Sequence, residues 1–229
     1  MKQTLTTHFL CRFLLLILTI GSTNYLYAQK GKDGGLTTST NFIVNDYTTL
    51  TSNASSGSTT INVASSFLST NFASALSAGD LLFIIQVQGA SMTFPDDTTY
   101  GSIINYNNCG NYEFAEVLRV PTTNSIYLVC GLKNDYSVSG HTQVIRVPRF
   151  TTLTIGSGGS VTCPPWNGST GGAVILEVDN GVTINSGGLI HANAKGFRAG
   201  QNATEIILFM VFLIIGIQQM ILVLKKEKA

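Results

Sequence analysis

Two unbroken apolar runs stand at the ends of this chain, and a succession of short, mostly alternating ones lies between them. The first, residues 13–20, follows Lys2 and Arg12, and a basic stretch ahead of a short apolar core is the pattern of a secretory signal. Ala28, ahead of Gln29, supplies a small residue for cleavage, so residues 1–28 are expected to be a signal peptide. The second run, residues 206–224, precedes Lys225, Lys226 and Lys228. At about 1.5 Å per residue a helix of this length just crosses a hydrocarbon core of about 30 Å, so residues 205–229 read as a transmembrane-like helix with a basic tail inside.

The body between the runs has the period of strands. Residues 59–63 (TTINV) alternate, and the Ala78-Gly79-Asp80 turn launches LLFIIQV at 81–87, a continuous apolar run suited to a strand covered on both faces. Residues 89–110 are rich in Asn, Asp and Thr and read as a long loop. YEFAEVLRV at 112–120 and SIYLVC at 125–130 flank PTTN, which predicts a hairpin with a four-residue turn. HTQVIRV at 141–147 is another strand, ended by Pro148. From Phe150 short β-branched runs alternate with glycine turns, LTI-GSGGS-VT and then AVILEV-DNG-VTI-NSGG-LIHANA. This spacing fits coils of a parallel β-helix, two at most, each stacking on the next to bury its inner face; an antiparallel meander would use the same turns. The expected fold is all-β. It comprises a small β-barrel-like or sandwich module at 29–149, the first coils of a parallel β-helix at 150–200, and the C-terminal hydrophobic helix.

Charge narrows the partners. Residues 29–204 carry eight Lys or Arg and ten Asp or Glu, so no basic field is present to attract nucleic acid or an anionic membrane surface. Without residues 1–28 three of the four cysteines remain. Cys109 precedes one predicted strand and Cys130 ends the next, so they are candidates for a disulfide across the hairpin, which leaves Cys163 as a titratable thiol. No C-x-x-C and no His at ligand spacing from a Cys suggests a metal, and no cofactor is expected.

At these segments the chain resembles a known group. The blocks AGDLLFIIQVQGASM, GSIINYNNCGNYEFAEV, TQVIRVPRFTTLTI and PPWNGSTGGAVILEVDNGVTINSGGLIHANAKGFRAG look like the N-terminal region of large secreted surface proteins of the Bacteroidetes type, the adhesin-like and gliding-motility-associated group exported by type IX secretion. The resemblance covers about residues 55–200. It implies an exported cell-surface protein of structural or adhesive role that continues into further β segments and a sorting domain. The text after Gly200 departs from that pattern. Residues 206–224 are then either a true anchor or the tail of a reading frame interrupted near Asn202, and the chain is a truncated member of the group.

Candidate chemistry is sparse. Glu113 and Glu116 invite a glycosidase reading, but three residues apart on a strand their side chains leave from opposite faces and do not flank one sugar. Replacing either by Gln is expected to change stability little. Asp96 and Asp97 lack the further convergent oxygens of a calcium loop, and His141 and His191 have no nucleophile placed beside them. Gly156-Ser157-Gly158-Gly159 lacks the third glycine of a dinucleotide fingerprint, and Pro164-Pro165 forbids the helix that would hold the phosphate. No catalytic or metal residue is assigned. Tyr100, Tyr106 and Tyr112 around the long loop, and Trp166 in its Pro-rich turn, are candidates for contact with a glycan or a cell-surface protein, although Trp166 also suits a plug at the end of a core. The reading is an exported surface protein without catalysis. A fragment of a carbohydrate-active β-helix enzyme and a membrane-anchored binding module are the competing classes.

Overall fold

The computed structural model describes residues 29–196, together with the backbone of 210–215 and 219–224. The signal expected at 1–28 lies outside the described residues, as does much of 205–229. The described chain opens with β1 (Gly34–Thr38) and β2 (Asn41–Ile43). It then runs through β3 (Asp46–Thr49), β4 (Thr60–Asn62), β5 (Leu81–Gln86), β6 (Ser91–Met92), β7 (Ile103–Asn105), β8 (Tyr112–Thr122), β9 (Ser125–Leu128) and β10 (Thr142–Val147). After Pro148 follow β11 (Arg149–Ile155), β12 (Ser160–Thr162), β13 (Val174–Ile184) and β14 (Leu189–Ile190), and then β15 (Met210–Ile215) and β16 (Gln219–Leu224). The protein is all-β, and no helix among the described residues is long and apolar enough to cross a membrane.

Six of these strands make one antiparallel sheet in the order β3-β10-β5-β8-β9-β4. The sheet curls until its two edge strands meet at one end, where Leu50 bridges Val63, Ala64 N–H donates to Thr49 O (3.0 Å) and Thr51 N–H to Asn62 O (3.0 Å). This is the barrel-like module. Its interior is filled by the inward alternation of each strand: Ile61, Leu82, Ile84, Val117, Ile126, Leu128 and Val144, all buried. Each such side chain contributes about 1.5–3 kcal/mol by leaving water. The apolar run at 81–87 is central, as its pattern predicts, because Phe83 faces the other way, into a second cluster with Ile145, Val147 and Ile175. The β8–β9 hairpin is present with a tighter turn than expected: Thr122 pairs with Ser125, leaving Thr123-Asn124 as the loop.

The coils are parallel, which excludes the meander. β11 pairs with β13 and with β1, and β12 with β14 and with β2. Three coils are therefore stacked rather than two, and the first comes from residues 34–44, which the sequence places with the barrel-like module. The register aligns Leu36, Leu153 and Val182 in one column and Phe42, Val161 and Ile190 in another. Gly158 and Gly187 turn the same corner in successive coils with φ of 76° and 83°, a left-handed conformation that a side chain resists. The barrel-like module is thus an insertion between the first coil and the second.

Two side-chain amides join the insertion to the coils. Asn45 donates to Arg146 O (2.9 Å) and Ile175 O (2.6 Å) and accepts from Ile175 N–H (2.9 Å), so it serves as a link of peptide backbone between β10 and β13. Gln143 does the same with both backbone groups of Gly171 (3.1 and 3.3 Å). Hydrogen bonds of this kind offset the cost of taking the polar groups out of water and fix the relative setting of the two parts.

The C-terminal apolar run is described only in its backbone. There β15 lies parallel to β13, from Val174 opposite Phe212 to Glu177 opposite Ile215, and β16 returns antiparallel to it. The helix expected over 205–229 otherwise falls outside the described residues.

Candidate functional site

Residues 89–110 are not a featureless loop but a hairpin, β6 against β7, standing off the barrel-like module. Its base is fixed by Gln86, a fully buried side chain whose Nε2 donates to Gln88 O (2.9 Å) and Asn107 O (2.8 Å) while its Oε1 accepts from Ser137 N–H (2.9 Å). Asn107 and Asn108 turn the chain at φ of 46° and 65°, a conformation in which asparagine is tolerated, and Asn107 Nδ2 donates to Gly89 O (3.0 Å). The tip is fixed by Thr93, whose hydroxyl donates to Thr99 O (2.6 Å), and by Asp97, whose Oδ1 accepts from Thr99 N–H (2.7 Å) and Oγ1 (2.6 Å). These hydrogen bonds hold the Asp97 carboxyl below its ordinary pKa.

This hairpin presents apolar side chains to solvent. Phe94 is 70% exposed and Tyr100 67%, their rings edge to face at 6.1 Å, and Tyr106, Met92, Ile103 and Ile104 are exposed with them. Ile103 and Ile104 leave a strand on opposite faces, yet both are exposed, so the hairpin is bare on both sides and stands as a blade. Six large apolar side chains on some twenty residues form a patch of the kind that marks an interaction site. Tyr100 and Tyr106 are where the sequence places contact residues. Trp166 differs from them: it is buried, its backbone N–H donating to Lys195 O (2.8 Å) and its Cβ packed beside Gly172.

The two glutamates have separate fates. Glu113 points into the barrel and is buried, where Oε1 and Oε2 accept from Lys133 N–H (3.0 and 2.9 Å) and Oε1 from Asn134 N–H (3.0 Å) and Tyr136 O–H (3.1 Å). It ties down the 132–136 loop, a role the sequence did not disclose because none of its partners lies within ten residues. Glu116 leaves the other face toward Arg149 and Glu177, and its Oε1 is buried with no hydrogen-bond partner. Burial raises its pKa, and Glu177 adds to this while Arg149 opposes it. Both residues contribute to a cleft of about 300 Å³ with Leu81, Phe114, Val129 and Lys133.

A buried charge cluster, also absent from the sequence reading, clasps the insertion to the first coil. Arg146 is fully buried, its Nη2 3.0 Å from Asp80 Oδ2, its Nη1 donating to Leu68 O (2.6 Å) and Ser74 O (2.8 Å), and its guanidinium 3.9 Å over the Phe72 ring. Lys32, just ahead of the first coil, reaches Asp80 Oδ1 (2.6 Å), Arg149 pairs with Glu177, and Asp33 accepts from Arg149 N–H (2.7 Å). Burial raises the Asp33 pKa against the pull of that hydrogen bond.

The cysteines correct the expected pairing. Cys109, Cys130 and Cys163 are free thiols, and Cys109 Sγ donates to Val87 O (3.2 Å). Cys109 stands ahead of the start of β8, whereas Cys130 follows the end of β9, next to Val129, whose N–H donates to Glu116 O (2.9 Å). Cys163 is buried in the coil core, where loss of water pushes its thiol up to about 11, with Lys195 opposing. It is therefore not a titratable thiol at ordinary pH. Among the described residues no group of three or more His, Cys, Asp or Glu is arranged to hold a metal ion.

No family model and no curated protein matches this chain. Three solved structures that resemble it loosely are bacteriophage tailspikes. They include the Gp54 tailspike of Acinetobacter baumannii bacteriophage AP22, in complex with A. baumannii capsular saccharide (TM-score 0.30, 15% identity, 66% of this chain and 28% of that one). The tailspike gp61 of Pseudomonas phage phi297 (0.31, 13%, 70% and 31%) and the tailspike protein gp49 of Pseudomonas phage LKA1 (0.28, 16%, 70% and 33%) are similar to the same degree. This chain spans about a third of their length or less, and at these scores the likeness carries no argument about the site.

Proposed function

We propose that this chain is an exported cell-surface protein of structural or adhesive type, acting without catalysis, and that the blade at 89–110 is the element with which it touches a glycan or another surface protein. The observation that carries the reading is the blade itself: Phe94, Tyr100, Ile104 and Tyr106 exposed on an element whose base and tip are both pinned by hydrogen bonds. A pinned apolar element loses little conformational freedom on binding, which favours contact over solvation. The coils supply the stem and the barrel-like module the platform. A membrane-anchored binding module, retained through residues 206–224, is the competing reading and is checked by fractionating cells that make the full chain.

The test is binding to a neutral and acidic glycan panel and to whole cells, comparing the wild-type chain with a Phe94→Ser, Tyr100→Ser variant. A loss of about tenfold or more, with an unchanged unfolding midpoint, supports the blade. Equal binding by both proteins overturns it, and polysaccharide turnover that disappears in Glu116→Gln overturns the non-catalytic reading.

A further inference from the structure

The chemistry of the blade narrows what it can grip. Phe94 and Tyr100 meet edge to face with 75° between their planes, so they make a ridge and not the flat platform on which a sugar ring lies. Met92, Ile103 and Ile104 are 41%, 48% and 67% exposed, and such aliphatic chains give a sugar hydroxyl no partner. Polar groups that could read hydroxyls are turned inward. The Thr93 hydroxyl donates to Thr99 O (2.6 Å) and the Ser91 hydroxyl to Asn105 O (3.4 Å), Asn107 Nδ2 donates to Gly89 O (3.0 Å), and Asn105 Oδ1 accepts from Asn107 N–H (2.8 Å). A site that selects a saccharide needs such groups free and convergent.

What the blade presents instead is area of the size and kind a protein covers. An aromatic side chain carries about 150–250 Å², and with more than half of Phe94, Tyr100 and Tyr106 exposed the six apolar side chains present on the order of 600 Å². A standard interface buries about 800 Å² per partner, and Phe, Tyr and Met are enriched there. Charge is equally one-sided. Asp96 and Asp97, exposed at the tip, are the only charged residues from 89 to 110, so the blade repels an anionic saccharide or lipid surface and is drawn to a cationic one.

Resting on the reading that the blade is the contact element, we infer that its partner is a protein, one with an apolar cleft that takes both faces of the blade and with Lys or Arg where the tip lands. Ile103 and Ile104 leave β7 on opposite faces, so a partner that covered one face alone would leave the other in water. Packed layers stand about 10 Å from a sheet on each side, so the walls of that cleft are roughly 20 Å apart. A second blade is a poor match, since it brings the same two carboxylates and no base.

The experiment measures binding of the full chain to whole cells left untreated, stripped with a protease that is then inactivated, or oxidised with periodate, which cleaves the vicinal diols of glycans. Protease treatment is expected to lower wild-type binding about tenfold or more, and periodate to leave it in place. Raising salt from about 0.05 to about 0.5 M should weaken binding, because the screening length falls from above about 10 Å to a few Å. Asp96→Asn with Asp97→Asn keeps an acceptor for Thr99 and should slow association several-fold and flatten that salt dependence. Phe94→Ser with Tyr100→Ser tests the reading beneath: if that variant binds untreated cells as the wild type does, the blade is not the contact element. If it fails to bind, yet wild-type binding is lost to periodate, the blade stands and the protein partner is refuted in favour of a glycan. Binding that survives both treatments refutes it in favour of lipid. Association by the Asp96→Asn, Asp97→Asn variant at the wild-type rate and with the wild-type salt dependence overturns the basic rim.

Discussion

Replacing Glu113 should destabilise the protein severely, contrary to what its place on an exposed-looking hairpin suggests. Its carboxylate accepts two backbone N–H groups and the Tyr136 hydroxyl inside the barrel. Hydrogen bonds to a charged acceptor contribute about 1.5–3 kcal/mol each, but Glu113 also borders the 300 Å³ cleft with Lys133, from which water can reach the Lys133 amide once the carboxylate is gone. The Asn134 amide and the Tyr136 hydroxyl, which still accepts from Asn134 Nδ2 (3.4 Å), would then lack the acceptor that Glu113 supplies. The expected loss is about 3 kcal/mol for Glu113→Ala and about 1–2 kcal/mol for Glu113→Gln, which keeps one acceptor and turns an amide donor toward the Lys133 N–H. Equilibrium urea unfolding followed by tyrosine and tryptophan fluorescence measures both. Hydrogen exchange at residues 132–136 should show the loop released before the barrel opens. A loss under about 0.5 kcal/mol for the alanine variant would mean the loop is held by its own turns and not by Glu113.

Asp80→Asn leaves Arg146 buried without its counter-charge and should cost about 3–5 kcal/mol in the same assay; a change within about 0.5 kcal/mol would mean that the Leu68 and Ser74 carbonyls alone hold the guanidinium. Glu116 has a raised pKa, so the folded chain binds its proton more tightly than the unfolded chain, and stability falls as pH rises from 4.5 through the folded value. Glu116→Gln should flatten that part of the profile and raise the unfolding midpoint at pH 7, whereas a lowered midpoint at pH 7 would refute the sign. Cys163, held up to about 11, should resist a thiol reagent at pH 8 until denaturant is added, while exposed Cys130 reacts at once; equal rates for the two would place Cys163 outside the core.

The elements legible in the sequence are those whose pattern is local. β5 declares itself by its unbroken apolar run, the β8–β9 hairpin by alternation around Pro121–Asn124, and the second and third coils by Gly-rich corners at 156–159 and 185–188. The first coil was missed because its partners are remote: Leu36 stacks on Leu153, 117 positions on, whereas Leu153 stacks on Val182 after 29. A repeat with such unequal spacing does not look periodic, although LTTSTNFIV at 36–44 reads like LTIGSGGSVTC at 153–163 once the two are aligned. The blade was half legible. Phe94 and Tyr100 flanking Pro95-Asp96-Asp97 signal a turn between apolar positions, but the asparagines around them carry the composition of a loop. The charge clasp had no signal at all, since Lys32, Asp80, Arg146 and Glu177 come from four separate segments and each alone reads as a surface residue.

The insertion also constrains the order in which the protein assembles. β1 cannot pair with β11 until the more than one hundred residues between them have been compacted, because closing a loop of that length costs entropy that local contacts must offset first. The barrel-like module supplies those contacts among neighbours in sequence, β8 with β9 and β5 with β8. Its folding delivers Arg146 and Arg149, at the end of β10 and the start of β11, close to where Lys32 and Asp33 enter. The clasp therefore sits where the end of the insertion meets the residues that lead into the first coil, and buried ion pairs there add little net stability over apolar packing but leave a charge unpaired when the first coil docks in another register. Asn45 extends the same discrimination by donating two hydrogen bonds and accepting one in a pattern that only the native setting of β10 and β13 satisfies. The long separation that hid the first coil in the sequence is thus answered in the structure by polar groups of high specificity placed at its seam.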